Sequence, residues 1–467
     1  MKTQVYIKQF MVIIFFCHFA SCEEFVELES PDLKIVSEVV FNNDVTAISA
    51  MKGIYNELVR ATFSGGWQNS VTALASLSAD ECTGLSITNL TYTEFEENEI
   101  MPSNTRNLEV WSSAYNIIYM TNSILEGLEN SKDLTEEIRI QLEGEAKFVR
   151  AFSYFYLVNL YGPVPLLLST EYQINARAAS NSKEEVYGQI LKDLQEAIGV
   201  LADDYKEGER TYINRFAAMA LMSRVNLYQQ NWTAAENWSS QVISETGRFE
   251  ILEDLNEVFL ANSREAIWQL SPVGNGDTST QTNEGAIFII HPTSPSASLL
   301  KLNDDLVGSF ESQDKRLAHW IDLHEGINAY YPYKYKDRNS TNNLTEYSMV
   351  LRLAEQYLIR AEARAMLDNL PGAIADLNSI RSRADIPAIL ETDPTLTKEI
   401  LLELILNERR IELFTEWGHR WLDLKRTENT SEVLAPKKSL WQDTDVLYPV
   451  PEQERLKNAN LGQNPGY

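Results

Sequence analysis

The chain has 467 residues, 44% of them hydrophobic, enough for roughly two or three domains or for one large domain built of repeats. Lys and Arg number 40 against 67 Asp and Glu, a formal net charge of −27. A field of that sign repels phosphate backbones and anionic lipid, which argues against nucleic acid as a partner and against simple adsorption to a membrane.

The chain opens as a targeting segment. Lys2 and Lys8 supply positive charge, and an apolar run over 10–19 follows. That run is about half the roughly twenty residues needed to span a bilayer. Ala20 and Ser21 then precede Cys22. This resembles a bacterial lipobox, which implies removal of 1–21 and lipidation of Cys22. Several acyl chains on one residue would hold the protein at a membrane without a transmembrane helix. Residues 22–40 read as a tether, acidic at its start with Glu23, Glu24 and Glu27. Loss of Cys17 and use of Cys22 leave Cys82 alone, with no internal disulfide to form and no metal-type spacing. Cys82 is expected to be a small buried residue.

The remainder reads as mainly helical. The 43–63 stretch carries Val45, Ile48, Met51, Ile54, Tyr55 and Leu58 at helical spacing, and 111–128 repeats the pattern. The 134–160 stretch adds an aromatic stripe, Phe148, Phe152, Tyr156 and Leu160, each four apart, and stops at Gly162 and Pro163. The 182–201 stretch starts with Ser182 and Glu185 in a capping-box spacing. Stretches 224–235 and 362–373 each show a helix with small residues, an Asn turn (Asn231, Asn369) and a second helix near Ala235 or Ala373. That is the helix–turn–helix unit of tetratricopeptide-type repeats. Pairing 45–63 with 111–128 and 137–160 with 182–201 makes about four helix pairs, which bury their apolar faces by stacking. Three stretches, 65–104, 271–298 and 322–347, read as long irregular insertions too aromatic to be linkers. The chain divides into an N-terminal helical part (41–260), a loop-rich ligand-binding insertion (261–350) and a C-terminal helical part (351–467).

Several separated motifs carry a family resemblance. Glu143, Arg150, Tyr154, Tyr161 and Pro165 mark one; Arg352, Glu355, Glu362 and Arg381 a second; Glu408, Arg409, Glu412, Arg420, Trp421, Asp423 and Arg426 a third. The chain ends Gln463, Asn464, Pro465, Gly466, Tyr467. In this order the set resembles the SusD/RagB family of Bacteroidetes outer-membrane lipoproteins. His419 departs from the family pattern, which often reads Glu-Gly-x-Arg-Trp there. The resemblance implies a surface-exposed, lipid-anchored binder at the cell outer membrane. It would capture an oligosaccharide and deliver it to a SusC-like TonB-dependent transporter. Peptide uptake through the same kind of transporter is the alternative ligand class; a surface glycoside hydrolase and a helical adaptor without a small ligand are two further readings.

Read from the residues alone, the charged motif positions lie beside apolar stripes, so Arg150, Glu355, Glu362, Glu408 and Arg409 are expected to form helix–helix ion pairs. No catalytic or cofactor-binding signature is found, and Glu416 with His419 makes only half of a di-iron pattern. A glycosidase pair needs only two carboxylates at a set separation, which a sequence does not show. Ligand candidates come from composition: aromatic faces stack on sugar rings, and planar amides match hydroxyls. Trp67, exposed by the preceding glycines, and Asn69 form one group. Trp320, Asn328, Tyr330, Tyr331 and Tyr333 form the other. The competing reading for each aromatic is that it packs beneath its loop.

Overall fold

The computed structural model describes residues 40–85, 89–273 and 278–467. The leader (1–21), Cys22 and the tether up to residue 39 lie outside the described residues. Asn43 caps α1 (Asp44–Arg60), accepting from the Thr46 amide at 3.0 Å, and the helix buries Ala47, Met51, Ile54 and Leu58 on one face. After a tight loop come α2 (Val71–Ser78), β1 (Cys82–Gly84) and α3 (Leu90–Glu97). About half of the 65–104 stretch is therefore regular structure rather than irregular insertion. All eight residues of α2 are buried. A helix covered on every side shows no amphipathic period, so its sequence of small Ala and Ser side chains looks like loop. Cys82 is buried, 1% exposed.

The repeat scaffold begins with α4 (Thr105–Asn130), which packs on α1, and α5 (Glu136–Tyr161), which packs on α4. The stripe on α5 is fully used: Phe152 meets Trp268, Trp417 and Tyr156 edge-on with ring centroids 5.0–5.2 Å apart. Next comes α6 (Lys183–Val200), opened by the expected capping box. The Ser182 hydroxyl accepts from the Glu185 amide at 3.2 Å, and the Glu185 carboxylate accepts from the Ser182 amide at 2.8 Å. Gly144 lets α5 approach the end of α6, since a Cβ there would lie 2.8 Å from Val200.

Helices α7 (Arg215–Tyr228) and α8 (Trp232–Ile243) form the third hairpin, turned at Asn231. The fourth is α9 (Leu353–Met366) with α10 (Leu370–Arg383). There the Asn369 side chain accepts from the Gly372 amide at 3.1 Å. α9 also packs on α8, so the hairpins stack in sequence across the intervening insertion. α11 (Lys398–Glu412) closes a second small core with Leu358, Leu377, Ile380, Leu401 and Ile405. α12 (His419–Arg426) then returns to α2.

Between α8 and α9 the chain makes short antiparallel pairs. β2 (Ala266–Leu270) pairs with β6 (Ser348–Arg352), register Ala266↔Arg352 to Leu270↔Ser348, and both strands are wholly buried. β3 (Leu300–Leu302) pairs with β1. β4 (Ile321–His324) and β5 (Ala329–Pro332) form a hairpin where the sequence suggested irregular loop. The 271–298 stretch contains a short helix, Asn283–Phe288.

The charged motif residues pair across helices as expected. Arg150 donates to both Asp193 oxygens at 2.8 and 2.7 Å and to Asn122 at 2.9 Å, tying α5 to α6 and α4. Glu355 meets Arg224, Glu362 meets Arg426, Glu408 meets Arg381, and Arg409 meets Asp423. Buried charges are tolerated here because each has a partner in reach.

Candidate ligand-binding site

Trp67 stands at the tip of a loop held from below. The Ser64 hydroxyl donates to Leu58 O at 2.7 Å, the Ser70 amide to Trp67 O at 2.7 Å, and the Asn283 amide group to Gly65 O at 2.6 Å. Gly65 and Gly66 are needed by space and by backbone. A Cβ on Gly65 would lie 2.5 Å from Val59 O. One on Gly66, whose φ is +71°, would lie 2.3 Å from the Glu284 carboxyl. Residues 63–66, just before it, are buried, while Trp67 itself is 45% exposed.

Asn69, half-buried, lies two residues on. Its Nδ2 donates to Glu109 at 2.7 Å, and its Oδ1 accepts from the Tyr92 hydroxyl at 2.6 Å. Both ends of the amide are thereby oriented, and each keeps spare hydrogen-bonding capacity. The Arg106 guanidinium lies 5.3 Å from the Tyr92 ring, completing this support.

The second group divides. Asn328 is exposed at the β4–β5 turn with φ +48°, which identifies it first as a turn residue. Tyr330 and Tyr333 are half-buried. Tyr331 is 8% exposed, meets Tyr333 edge-on at 5.9 Å and donates to Asp322 at 2.6 Å. Burial first, and the Asp322 carboxylate second, raise the Tyr331 hydroxyl pKa above the usual tyrosine value. Trp320 overturns its expectation: it is 0% exposed and offers no face to a ligand. Its indole N–H donates to Leu255 O at 3.0 Å, and its ring lies under Lys334, Arg383 and Arg352 at 4.9, 5.3 and 5.7 Å. Those cations belong to a buried cluster with Glu265, Glu412 and Glu416. Trp320 roofs that cluster, so its role is packing and cation–π contact.

Trp67 and the tyrosines flank one segment, 283–290. Its start supports the Trp67 loop through Asn283 and Glu284, and Ile289 and Ile290 pack with Ala329, Tyr331 and Tyr333. No ring contact joins the two groups among the described residues. Burial pushes the Glu284 carboxyl up to about 7, against a hydrogen bond from Ser348 that lowers it.

A cavity of about 300 Å³ lies beside the Trp67 loop, lined by Lys52, Tyr55, Asn56, Val59, Thr211 and Tyr212 and by Leu270, Ser271 and Val273. Sequence reasoning missed it, because its walls come from positions some 150 apart with no shared motif.

The comparisons with known proteins agree with this architecture. One family model, described as starch-binding and associating with the outer membrane, matches residues 39–227. A second, the SusD family, matches residues 311–467. The chain belongs to the SusD/RagB family. It is 26% identical to the SusD-like protein P25 of Formosa agariphila over 89% of this chain and 88% of that one. To the starch-binding protein SusD of Bacteroides thetaiotaomicron it is 23% identical over 35% of this chain and 30% of that one. A laminarin-binding SusD-like protein superposes with TM-score 0.78 at 24% identity, over 91% of this chain and all of that one (100%). A SusD superfamily protein from Bacteroides vulgatus superposes with TM-score 0.79 at 21% identity, over 91% and 99% of the two chains.

Proposed function

We propose that this chain is a surface-displayed outer-membrane lipoprotein that holds a glycan against Trp67 and delivers it to a SusC-like TonB-dependent transporter. The carrying observation is the Trp67 loop: an exposed indole on a backbone fixed by two glycines, with an oriented amide at Asn69 beside it. An immobilised aromatic face loses little entropy on stacking with a sugar ring. Support for a glycan comes from the family description of starch binding and from the laminarin-binding structural neighbour. Tyr330 and Tyr333, half-exposed on their hairpin, extend the same surface in this reading, and no covalent step is assigned. Among the described residues no helix is long and apolar enough to cross a membrane; in this reading lipid on Cys22 supplies the attachment.

Calorimetric titration with laminarin and starch oligosaccharides tests the site. Trp67→Ala is expected to weaken binding by about 2 kcal/mol, roughly thirtyfold, with an unchanged melting profile. Undiminished affinity in W67A would remove Trp67 from the site. Replacing Cys22 by Ala should move the protein from the membrane fraction to the soluble one; retention in membranes would refute the lipid anchor.

A further inference from the structure

Among the described residues the one charged side chain lining the cavity beside the Trp67 loop is a lysine, Lys52, against the acidic trend of the molecule. Lys52 lines it, and the Lys52 and Lys206 ammoniums lie 6.0 and 5.5 Å from the centre of the Tyr212 ring, which forms its wall. Acids outnumber bases 67 to 40 in this chain, so most cations have a carboxylate to meet. Among the described residues neither of these lysines makes an ion pair. The carboxylate that couples electrostatically to Lys206, Glu145, is occupied elsewhere. It accepts from the Tyr55 hydroxyl at 2.9 Å and from Gln141 at 2.8 Å. Tyr55 meets Tyr212 edge-on at 5.7 Å, so the wall carrying the lysines is a braced aromatic pair, and Asn56 adds a planar amide.

This cavity abuts the base of the Trp67 loop. Val59 lines it, and Val59 O is the atom a Cβ on Gly65 would strike at 2.5 Å. Asn283 donates to Gly65 O from the other side. Val59 is thus shared between the wall of the cavity and the support of the Trp67 loop. Its volume, about 300 Å³, is at the small end for ligand sites, suited to a ring or two and not to a folded partner.

Resting on the Trp67 reading, we propose that the preferred ligand is an acidic saccharide, whose carboxylate or sulfate substituent is received by Lys52 and Lys206 against Tyr212. A molecule of net charge −27 repels anions at long range, so selecting one requires a local pair of unspent cations where the ligand lands. Two lysines suffice for one anionic substituent and are too few for a polyphosphate track. The aromatic wall suits the apolar face of a sugar bearing that substituent.

The test is a titration of the purified full chain with three saccharide probes of similar length: oligogalacturonate (carboxylate), carrageenan oligosaccharide (sulfate) and laminarin oligosaccharide (neutral). A polyglutamate peptide serves as competitor. The wild type should prefer one of the acidic probes to laminarin by about tenfold at low salt, and added salt should erode that preference. Which acidic probe wins identifies the substituent. K52A/K206A should abolish the preference, K52R/K206R should retain it, and W67A should weaken the acidic probe as well. An unchanged preference in K52A/K206A, or none in the wild type, overturns the acidic subsite while leaving Trp67 standing if W67A still loses laminarin. Acidic binding indifferent to W67A breaks the link between cavity and platform, and so this proposal. Full displacement by polyglutamate overturns the saccharide assignment. Absence of binding to every saccharide overturns both readings.

Discussion

Gly66 bears two constraints at once: a left-handed backbone and a carboxyl directly below it. Gly66→Ala should cost about 1–3 kcal/mol in a urea melt and weaken glycan binding with it, because relief of either constraint tilts the Trp67 loop. Wild-type behaviour in both measurements would show that the loop is not held as described. Glu284 below it supplies a pH dependence. Its carboxyl sits at about 7 in the fold because burial disfavours the charge, against an ordinary value of 4.5. The folded state thus binds this proton more tightly than the unfolded one. That contribution is complete below about pH 4.5 and is lost as pH rises through about 7. Glu81, likewise pushed to about 7 by burial, acts in the same direction. Stability measured from about pH 5 to 8 should fall less steeply in E284Q than in the wild type, and less again in E81Q/E284Q. Parallel slopes in all three would show that these carboxyls do not titrate in that window. Trp320 teaches the contrast with Trp67: W320F should lower stability and spare glycan affinity, since the ring roofs a buried charge cluster.

At the scale of elements, the helices are joined by charge as well as by apolar faces. Arg224 on α7 and Glu355 on α9 form a two-point pair at 2.6 Å, each 1% exposed. Arg224 also donates to the Tyr156 hydroxyl at 3.2 Å, so α5 shares the contact. R224M strands a buried carboxylate and should cost about 3–5 kcal/mol in a urea melt, whereas R224M/E355L should recover most of it. A double variant as unstable as the single one would mean that the pair contributes more than mutual neutralisation. At the start of α6, S182A removes one half of the capping box and should cost about 1 kcal/mol. These elements were legible in the sequence. Aromatics four apart on α5, Ser182 with Glu185, and Asn turns between small-residue helices are local patterns, and local patterns specify helices. The β4–β5 hairpin and α2 were not legible. One is four residues a strand, too short to show alternation, and the other is buried on all sides.

Across the whole molecule, the last residues close the fold onto its central helix. Asn464 donates to Tyr161 O at 2.9 Å and to Tyr448 O at 2.7 Å. Tyr161 ends α5, so its carbonyl has no partner within the helix. Gln463 exchanges hydrogen bonds with both backbone groups of Val450, at 2.7 and 2.9 Å, and the Tyr467 hydroxyl donates to Leu447 O at 3.0 Å. Removing 463–467 should cost about 3 kcal/mol by leaving those groups unsatisfied, read as a lowered urea midpoint. A truncated chain that melts with the wild type would make the tail a passenger.

The sequence by itself determined the helical hairpins and that their buried charges are paired. Each depends on spacing within one helix, or on the rule that a charge beside an apolar stripe must find a partner. Only the tertiary structure decided which aromatics face solvent. Trp67 and Trp320 are both ligand candidates in the sequence, but Trp320 is covered by Leu255, Phe259, Lys334, Arg352 and Arg383. The same holds for the cavity beside the Trp67 loop, whose Lys52 and Tyr212 come from distant parts of the chain. Exposure and cavities are properties of long-range contacts, and no local period encodes them.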